Sequence, residues 1–257
     1  MTDISGLAVP RSDEVDTVEI QNDVEQIAFA LSHDLQAPLN SLASHAAMLK
    51  QAVQTESEDV RTAIDEVDGL TSRMQQMLDS ILEFSVLDAP DEHREIVNLD
   101  VMLEEAIANL HSQIDESGAT IEHQTLPPLA IARPQMTQVF QNLINNAIKF
   151  RGTRIPRIRI SAVETGEYLR IRFEDNGIGI ESADKERIFD MFHRLHGDTV
   201  YPGVGAGLAI CRRIVRAHGG EVGVESTPGR GSCFILKFRG ASVRTLNASG
   251  GTNEAVG

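Results

Sequence analysis

The 257-residue sequence predicts a multi-domain protein, with an α-helical hairpin followed by a mixed α/β domain. Apolar residues recur at helical spacing up to about residue 86, and alternating strands and glycine-rich turns follow. The charge divides near the same place. Residues 1–95 hold 20 acidic and 5 basic residues, whereas residues 96–257 hold 18 of each. We therefore expect two domains that meet near residues 91–95.

The first predicted helix begins near Val18, after a polar arm of residues 1–16 that we expect to be disordered. Its apolar residues recur every three or four positions. They are Ile20, Val24, Ile27, Leu31, Leu35, Leu39, Leu42, Leu49 and Val53. A polar stretch at residues 54–58 ends this helix, and Thr55 with Glu58 has the spacing of a capping box for a second helix.

Two apolar positions of the second helix repeat every seven residues. One is occupied by Val60, Val67, Met74 and Ile81, and the other by Ala63, Leu70, Met77 and Phe84. Heptads of this kind are typical of a coiled-coil-like seam. A single hairpin cannot bury stripes on both of its helices. We therefore expect residues 17–90 to form a homodimer that completes a four-helix bundle.

The second domain, residues 91–240, alternates predicted helices and strands. The helices are expected at Asp100–Ser117, Pro134–Phe150, Ser182–Phe189 and about Ala206–His218, and the strands at Thr120–Gln124, Arg157–Val163, Tyr168–Glu174, Glu221–Ser226 and Ser232–Phe238. Asp100 is the expected cap of the first of these helices and Gly118 its expected stop. The small, polar residues 241–257 are expected to be a disordered tail.

The composition disfavours several classes of protein. A net charge of −15, 4% aromatic residues and no Trp disfavour binding to nucleic acid or anionic lipid. No apolar run approaches the roughly 18 residues of a membrane helix, and the N-terminus has no secretory pattern. Cys211 and Cys233 form no disulfide framework. We therefore expect a cytoplasmic location.

His33 is the candidate nucleophile of the first helix. It lies about 200° from both Leu31 and Leu35, so it points away from the buried stripe toward solvent. A neutral imidazole can attack through one ring nitrogen, and the adjacent Asp34 can hold the other N–H. Pro38 removes a helical hydrogen bond and favours a local bend. An exposed His beside an Asp is also common on ordinary helices, so the pattern alone leaves both interpretations open.

Polar side chains on the helix that ends at Phe150 suggest a phosphate or metal site. Asn142 and Asn146 are four residues apart and share one face. Amide oxygens can coordinate Mg²⁺, and Lys149 can reach phosphate oxygens. An ordinary polar helix face would have the same composition.

Two glycine-rich segments could approach a nucleotide. Asp175 precedes Asn176-Gly177-Ile178-Gly179 directly after a strand, and its carboxylate could accept a hydrogen bond from an exocyclic amine. A strand-ending turn is the alternative. The second segment is Gly203-Val204-Gly205-Ala206-Gly207-Leu208, which opens a helix and could present N–H groups to phosphates. It matches neither the dinucleotide fingerprint nor the P-loop.

In this order and spacing, the elements resemble the catalytic core of a two-component sensor histidine kinase, over about residues 20–240. Ser32–Leu39 is similar to its H box, Asn142–Phe150 to its N box and Asp175–Gly179 to its G1 box. Phe189–Arg194 is similar to its F box, Gly203–Leu208 to its G2 box and Gly219–Phe234 to its C-terminal motif. The His-Asp-Leu-Gln sequence and the stretch from Phe192 to Gly203 look most like bacterial phytochrome output modules.

The resemblance implies a dimeric hairpin that carries the phospho-acceptor, and an ATP-binding α/β sandwich of the type shared with gyrase and Hsp90. It implies Mg-ATP-dependent autophosphorylation of His33, with Asp34 as general base, and transfer to an aspartate of a response regulator. Arg194 would stabilise the transferring phosphoryl group. The lid over ATP would be residues 193–204.

The resemblance also implies the nucleotide site. Asn146 would ligate Mg²⁺, and Asn142 and Lys149 would lie near the phosphates. Phe150 and Ile180 would flank the adenine, and Asp175 would accept a hydrogen bond from its amino group with help from Ser232. The remaining residues of the site would be Gly177, Gly179, Gly203, Gly205, Gly207 and Leu208. Ala206 and Val204 depart from the usual Leu and Thr of the G2 box, which could lower ATP affinity.

Ala37 stands where many family members carry a Thr or Asn that positions a hydrolytic water, so we expect weak phosphatase activity. Two alternatives differ in class. One is a non-catalytic phosphotransfer adapter that fails to bind ATP, and the other is a related ATPase that forms no phosphohistidine. We expect the sensory input to come from a further domain or from another chain.

Overall fold

The computed structural model describes residues 39–49, 58–86, 94–195, 201 and 203–239. The chain divides into two compact units, Met1–Val86 and Leu87–Gly257, called here the helical unit and the α/β unit. The predicted arm, His33, Asp34, Ala37, the loop at residues 54–57 and the predicted tail lie outside the described residues. None of the helices that the structure describes has the length and apolarity needed to cross a membrane.

The helical unit contains α1, of which residues 39–49 are described, and α2, Glu58–Val86. Gln75 Nε2 donates to Asn40 Oδ1 across the two helices at 2.8 Å. The buried side chains recur every seven residues, which places them on one face of each helix. They are Leu39 and Ala46 on α1, and Ile64, Thr71 and Leu78 on α2.

The predicted heptad seam of α2 is one face further round the helix. Met77, Ile81 and Phe84 of this seam are half-buried, whereas its residues near the middle of α2 are exposed. Val67, Leu70 and Met74 are 40%, 57% and 49% exposed. On α1, Leu42 and Leu49 are exposed as well. We call these five residues the apolar stripe. Among the described residues, part of the surface that the heptads predict to be a helix–helix interface is therefore uncovered.

Among the described residues, the α/β unit contains four α-helices, two short 3₁₀ turns and seven strands. The strands are β1 Glu95–Val97, β2 Thr120–His123, β3 Leu129–Ile131, β4 Arg157–Thr165, β5 Tyr168–Asp175, β6 Glu221–Thr227 and β7 Gly231–Arg239. The α-helices are α3 Leu99–Asn109, α4 His111–Ser117, α5 Arg133–Lys149 and α6 Gly207–Ala217, with short 3₁₀ turns at Ser182–Asp184 and Arg187–Phe189.

The main sheet has five strands in the order β2-β4-β5-β7-β6. β2 pairs with β4 in parallel, and the other neighbours are antiparallel. A second, two-stranded sheet pairs β1 with β3. Alternate residues of β5, such as Leu169, Ile171 and Phe173, are buried, so one face of the sheet packs on the core. Phe140 of α5 meets Phe173 edge to face, with ring centroids 5.1 Å apart.

Two helical predictions in the α/β unit are wrong. The segment expected as one helix from Asp100 consists of α3 and α4, which meet at a tight turn where Leu110 N donates to Ile107 O. The N-cap is Asn98, whose Oδ1 accepts from Asp100 N, while Asp100 Oδ1 accepts from Leu126 N. Gly118 is the left-handed C-cap, as expected.

The segment Ser182–Phe189 forms two 3₁₀ turns instead of an α-helix. Phe189 N bonds back only three residues, to Glu186 O, and Ile188 and Phe189 are buried. Packing of these two side chains thus decides the local geometry. β1 and β3, which were not predicted, have only three residues each and no sustained alternation.

Candidate active site

Helix α5 presents the polar side chains that the sequence placed on one face. Its opposite side is buried in the core through Met136, Val139, Phe140, Leu143, Ile144, Ala147 and Ile148. Asn142 Nδ2 lies 3.5 Å from Gly207 O, at the start of α6. Asn146 is one turn further along, partly exposed, and its side chain makes no hydrogen bond within the described part of the chain. Its amide is therefore available to a ligand.

Lys149 and Phe150 end this helix beside the glycine-rich segment before α6. Lys149 Nζ lies 4.7 Å from the centre of the Phe150 ring. A Cβ atom on Gly203 would be 3.0 Å from Lys149 Nζ, so these residues are neighbours. Burial, together with the positive charge of Arg194, lowers the pKa of Lys149. Two cations held near one another favour an anionic ligand between them.

Arg194 lies on the same side as Lys149 and is held by the backbone of Tyr201. Its Nη2 donates to Tyr201 O at 2.6 Å. The Tyr201 ring lies against Phe150, with centroids 4.9 Å apart. Sequence reasoning singled out Arg194 and Phe150 and missed the contact between Tyr201 and Phe150, because no periodic pattern links positions 51 residues apart.

Asp175 ends β5 with a largely buried carboxylate. Its Oδ1 accepts from Gly177 N at 2.8 Å and from Ser232 N at 3.2 Å. Burial raises the pKa of Asp175, while these two hydrogen bonds oppose the rise. No partner of Oδ2 lies among the described residues. A buried carboxylate with one oxygen occupied and one oxygen free can accept a hydrogen bond from a ligand.

The side chain of Ser226 connects the backbone of Ile180 to the hydroxyl of Ser232, next to Asp175. Ser226 Oγ accepts from Ile180 N at 2.9 Å and lies 2.9 Å from Ser232 Oγ. It also donates to Gly231 O at 2.8 Å. The backbone N–H of Ser232 is what reaches Asp175, since its hydroxyl bonds to Ser226. Ser226 lies within the matched C-terminal motif, but the sequence assigned it no role, because a single serine in a strand carries no pattern.

The start of α6 adds Gly205, Gly207 and Leu208 to the site. Gly205 has φ +81°, and a Cβ there would be 2.8 Å from His193 O, so only glycine fits. Gly207 is the first residue of the 11-residue helix, and Leu208 follows it. Ala206 at the N-cap makes no side-chain hydrogen bond, so the first N–H groups of the helix keep free donors.

The predicted residues of the α/β unit thus lie in a continuous set of neighbours. Gly177 bonds to Asp175, and Ile178 N donates to Phe150 O at 2.9 Å, which connects the end of β5 to the end of α5. Lys149 lies next to Gly203, and Asn142 lies next to Gly207. His33 and Asp34 lie outside the described residues. No cluster of three His, Cys, Asp or Glu side chains fit for a metal occurs within the described ranges.

Two family models match the chain. Residues 24–90 match the His Kinase A (phospho-acceptor) domain. Residues 131–242 match the histidine kinase-, DNA gyrase B- and HSP90-like ATPase domain.

Similar proteins include phytochromes and sensor kinases. Phytochrome-like protein Cph1 of Synechocystis sp. is 38% identical over 217 residues, which cover 84% of this chain and 29% of that protein. Sensor histidine kinase AruS of Pseudomonas aeruginosa is 32% identical over 240 residues, which cover 88% of this chain and 23% of that protein. The chain therefore spans less than a third of the length of these relatives.

Solved structures show the same fold. The crystal structure of full-length ShkA in complex with AMPPNP superposes with a TM-score of 0.62 at 25% identity, over 85% of this chain and 47% of that one. The structure of histidine kinase ThkA in complex with response regulator protein TrrA has a TM-score of 0.62 at 20% identity, over 93% of this chain and 68% of that one.

Proposed function

Because this chain belongs to the histidine kinase family, we propose that it binds Mg-ATP in its α/β unit and transfers the γ-phosphoryl group to His33. The observation that carries the proposal is the arrangement at Asp175. A buried carboxylate with one oxygen free lies beside a glycine-rich loop, and that loop is joined through Phe150 to Lys149 and the start of α6.

The base of the nucleotide would bind at Asp175. The free Oδ2 accepts a hydrogen bond from the amino group of adenine, while Phe150 and Ile180 flank the ring. Guanine carries a carbonyl oxygen at the corresponding position, and a carboxylate repels it. The buried position of Asp175 strengthens this discrimination, because water cannot replace the missing hydrogen bond.

The phosphates would bind between α5 and α6. Lys149 and the first N–H groups of α6 supply positive charge, and Gly203 and Gly205 keep side chains out of the approach to Lys149 and Arg194. Burial and, to a smaller extent, the charge of Arg194 lower the pKa of Lys149, and the negative charge of the nucleotide phosphates would oppose this lowering. Binding should therefore keep Lys149 protonated.

The residues present fit a Mg²⁺ ion that arrives with ATP. Magnesium commonly takes one or two protein oxygens and completes its shell with phosphates and water. Asn146, whose amide makes no hydrogen bond in the described residues, would be the protein ligand, with Asn142 one turn away. When bound, the ion neutralises charge on the phosphate oxygens.

Phosphoryl transfer would use His33 and Asp34, which lie outside the described residues, together with Arg194. One ring nitrogen of His33 attacks the γ-phosphorus, the bond to the bridging β–γ oxygen breaks, and ADP leaves. Asp34 holds the second ring N–H and accepts its proton as the P–N bond forms. Arg194 would stabilise the charge on the transferring group, because transfer of this kind depends mainly on positioning and charge neutralisation.

The partners proposed for the chain are a second copy and a response regulator. The exposed apolar stripe on α1 and α2 supports a homodimer that buries it in a four-helix bundle. The aspartate of a receiver domain would then take the phosphoryl group from His33, and ThkA was solved with such a partner. Two free cysteines and the use of ATP are consistent with a cytoplasmic location.

The test is labelling with γ-labelled Mg-ATP. The purified chain should acquire label that is labile in acid and stable in alkali, and His33→Ala should acquire none. Asn146→Ala should also lose label, because the metal ligand is gone. Retention of full labelling in Asn146→Ala would contradict the role assigned to that residue. Label that persists in His33→Ala would place the acceptor elsewhere.

A further inference from the structure

We infer that Arg154 is a positioning residue for base recognition, because its guanidinium group ties the loop that follows Asp175 to the turn that precedes Ser232, and both Gly177 of that loop and Ser232 donate to Asp175. The first segment is the base loop, residues 176–180. The second is the Gly229 turn, residues 228–230, between β6 and β7. The inference rests on the proposed function, in which Asp175 reads the adenine amino group.

Arg154 donates to three backbone carbonyls from both segments. Its Nη1 lies 2.8 Å from Asn176 O and 3.5 Å from Gly177 O, and its Nη2 lies 2.6 Å from Gly229 O. The planar fork of an arginine can make these bonds together, whereas a lysine offers a single point charge. Arg154 therefore acts as a cross-link between the base loop and the Gly229 turn.

The base loop and the Gly229 turn are in direct backbone contact. Gly229 N donates to Ile178 O at 2.7 Å. Gly179 has φ +75°, and a Cβ there would collide with the carbonyl oxygen of Thr227. The Ser226 hydroxyl adds a further link, because it accepts from Ile180 N of the base loop and donates to Gly231 O just after the turn.

Asp175 is held by one donor from each side of the same junction. Gly177 N belongs to the base loop, and Ser232 N follows the Gly229 turn at the start of β7; both donate to Asp175 Oδ1. A shift of the loop relative to the turn would lengthen one of these bonds and rotate the carboxylate. The position of Oδ2, which faces the base, follows from that rotation.

Asn176 supports the same junction from the segment that carries Arg154. Its Oδ1 accepts from Arg157 N at 2.8 Å, and its Nδ2 donates to Ile155 O at 3.0 Å. Residues 154–157 are therefore fastened to the base loop at both ends. These two bonds hold the backbone beside Arg154 in place, so that its guanidinium group reaches the three carbonyl oxygens.

The test compares nucleotide selectivity in Arg154→Ala, Arg154→Lys and a matched control. Arg157→Ala is that control, since the Arg157 side chain is exposed and makes no hydrogen bond or ion pair among the described residues. Calorimetry of the full chain measures the Kd for Mg-ATP and for Mg-GTP. We expect Arg154→Ala and Arg154→Lys to weaken ATP binding about fivefold or more, with GTP binding unchanged. Arg157→Ala should match the parent for both nucleotides.

A purely structural role gives a different pattern. Loss of folded protein weakens binding of both nucleotides by the same factor and leaves their ratio unchanged. An unchanged ratio in Arg154→Ala, or an equal change in Arg157→Ala, would overturn the inference.

Amide hydrogen exchange separates this inference from the proposed function. The amides of Gly177, Gly229 and Ser232 should exchange faster in Arg154→Ala than in Arg157→Ala, with or without nucleotide. If this exchange difference is present but the parent chain fails to bind Mg-ATP, the proposed function is overturned and the structural link made by Arg154 is not. Equal exchange in the two variants would overturn the role of Arg154, whatever the chain binds.

Discussion

The helical unit and the α/β unit differ in where their apolar side chains lie. In the α/β unit, Leu143 of α5 is 2% exposed, and the residues facing the sheet are buried alongside it. In the helical unit, Leu70 is 57% exposed and belongs to a stripe of similar residues. The α/β unit satisfies its own hydrophobic pattern, whereas two helices can bury only one face of each other.

This difference separates two sources of stability. Burial inside the α/β unit is intramolecular and independent of protein concentration. In the proposed homodimer a second chain buries the apolar stripe, so that burial would depend on protein concentration. Under the proposed function, base recognition would lie in the unit that buries its own core, and the acceptor histidine would lie in the unit that dimerisation completes.

Leu70→Glu is expected to have the largest effect on this comparison. Burial of one leucine side chain contributes about 2 kcal/mol, and a dimer buries two copies, so association should weaken by about 4 kcal/mol. Sedimentation equilibrium should show monomer at concentrations where the parent is a dimer. Nucleotide binding by the α/β unit should be unchanged.

Gln76→Glu is the matched control, because it adds the same charge to α2 at an exposed polar position. This variant should dimerise like the parent. A Leu70→Glu chain that remains fully dimeric would mean that the apolar stripe is not the interface.

Leu143→Ala should destabilise the α/β unit by about 3 kcal/mol through lost burial and the cavity left behind. Denaturant unfolding at two protein concentrations tests this, because the loss should be the same at both. The comparable change in the stripe, Leu49→Ala, should alter unfolding only in a concentration-dependent way. If the loss of stability depended on protein concentration in the same way for both variants, the two units would not differ in their source of stability.

Asp175→Asn should weaken Mg-ATP binding about tenfold or more, because the amide cannot match a charged acceptor for the adenine amino group. The free energy of unfolding should not fall. Since burial raises the pKa of Asp175 above its ordinary 3.8, the folded state disfavours the ionised form, and that cost grows as pH rises through the raised pKa. Asparagine avoids this cost and keeps an oxygen for Gly177 N and Ser232 N.

Calorimetry and thermal unfolding at neutral pH measure the two effects of Asp175→Asn separately. Parallel loss of binding and stability would indicate that the carboxylate is structural. Unchanged affinity would remove Asp175 from base recognition.

The smallest expected effect concerns His218, at the C-cap of α6. Its Nδ1–H donates to Ile214 O at 2.7 Å, and its Nε2 accepts from Ala132 N at 3.0 Å. Burial and the nearby charge of Arg94 lower the pKa of His218 below 6.5. The unfolded chain therefore binds the proton more readily, so the contribution to stability is present above pH 6.5 and is lost as pH falls through the lowered pKa.

Thermal unfolding of the α/β unit from pH 8 to pH 5 tests this expectation. His218→Gln should be less stable at pH 8 and should lose less stability on acidification than the parent. The helical unit, which does not contain this group, should not change. Equal acid sensitivity of parent and variant would exclude His218 as its source.

The strands of the main sheet illustrate how far sequence reasoning reached. β4, β5, β6 and β7 begin and end within about two residues of their predicted limits, because one face is buried and the other solvated. The glycine-rich segments and the polar face of α5 were also found from spacing alone. The predictions for His33 and Asp34 remain predictions, since both residues lie outside the described ranges.

The failures share a physical cause. The division between α3 and α4 at Leu110, and the 3₁₀ turns ending at Phe189, depend on side chains packed against distant parts of the chain. Local propensity favours a continuous helix in both places, and tertiary packing overrides it.

The sequence by itself determined the elements with a strong period, the two-unit organisation and the residue types that suit nucleotide chemistry. Only the tertiary structure decided that Asp175 takes one amide from the base loop and one from β7, and that Arg154 ties the base loop to the Gly229 turn. Periodicity reports which face of an element is buried. It carries no information on which backbone carbonyls, far apart in the chain, a single guanidinium group will reach.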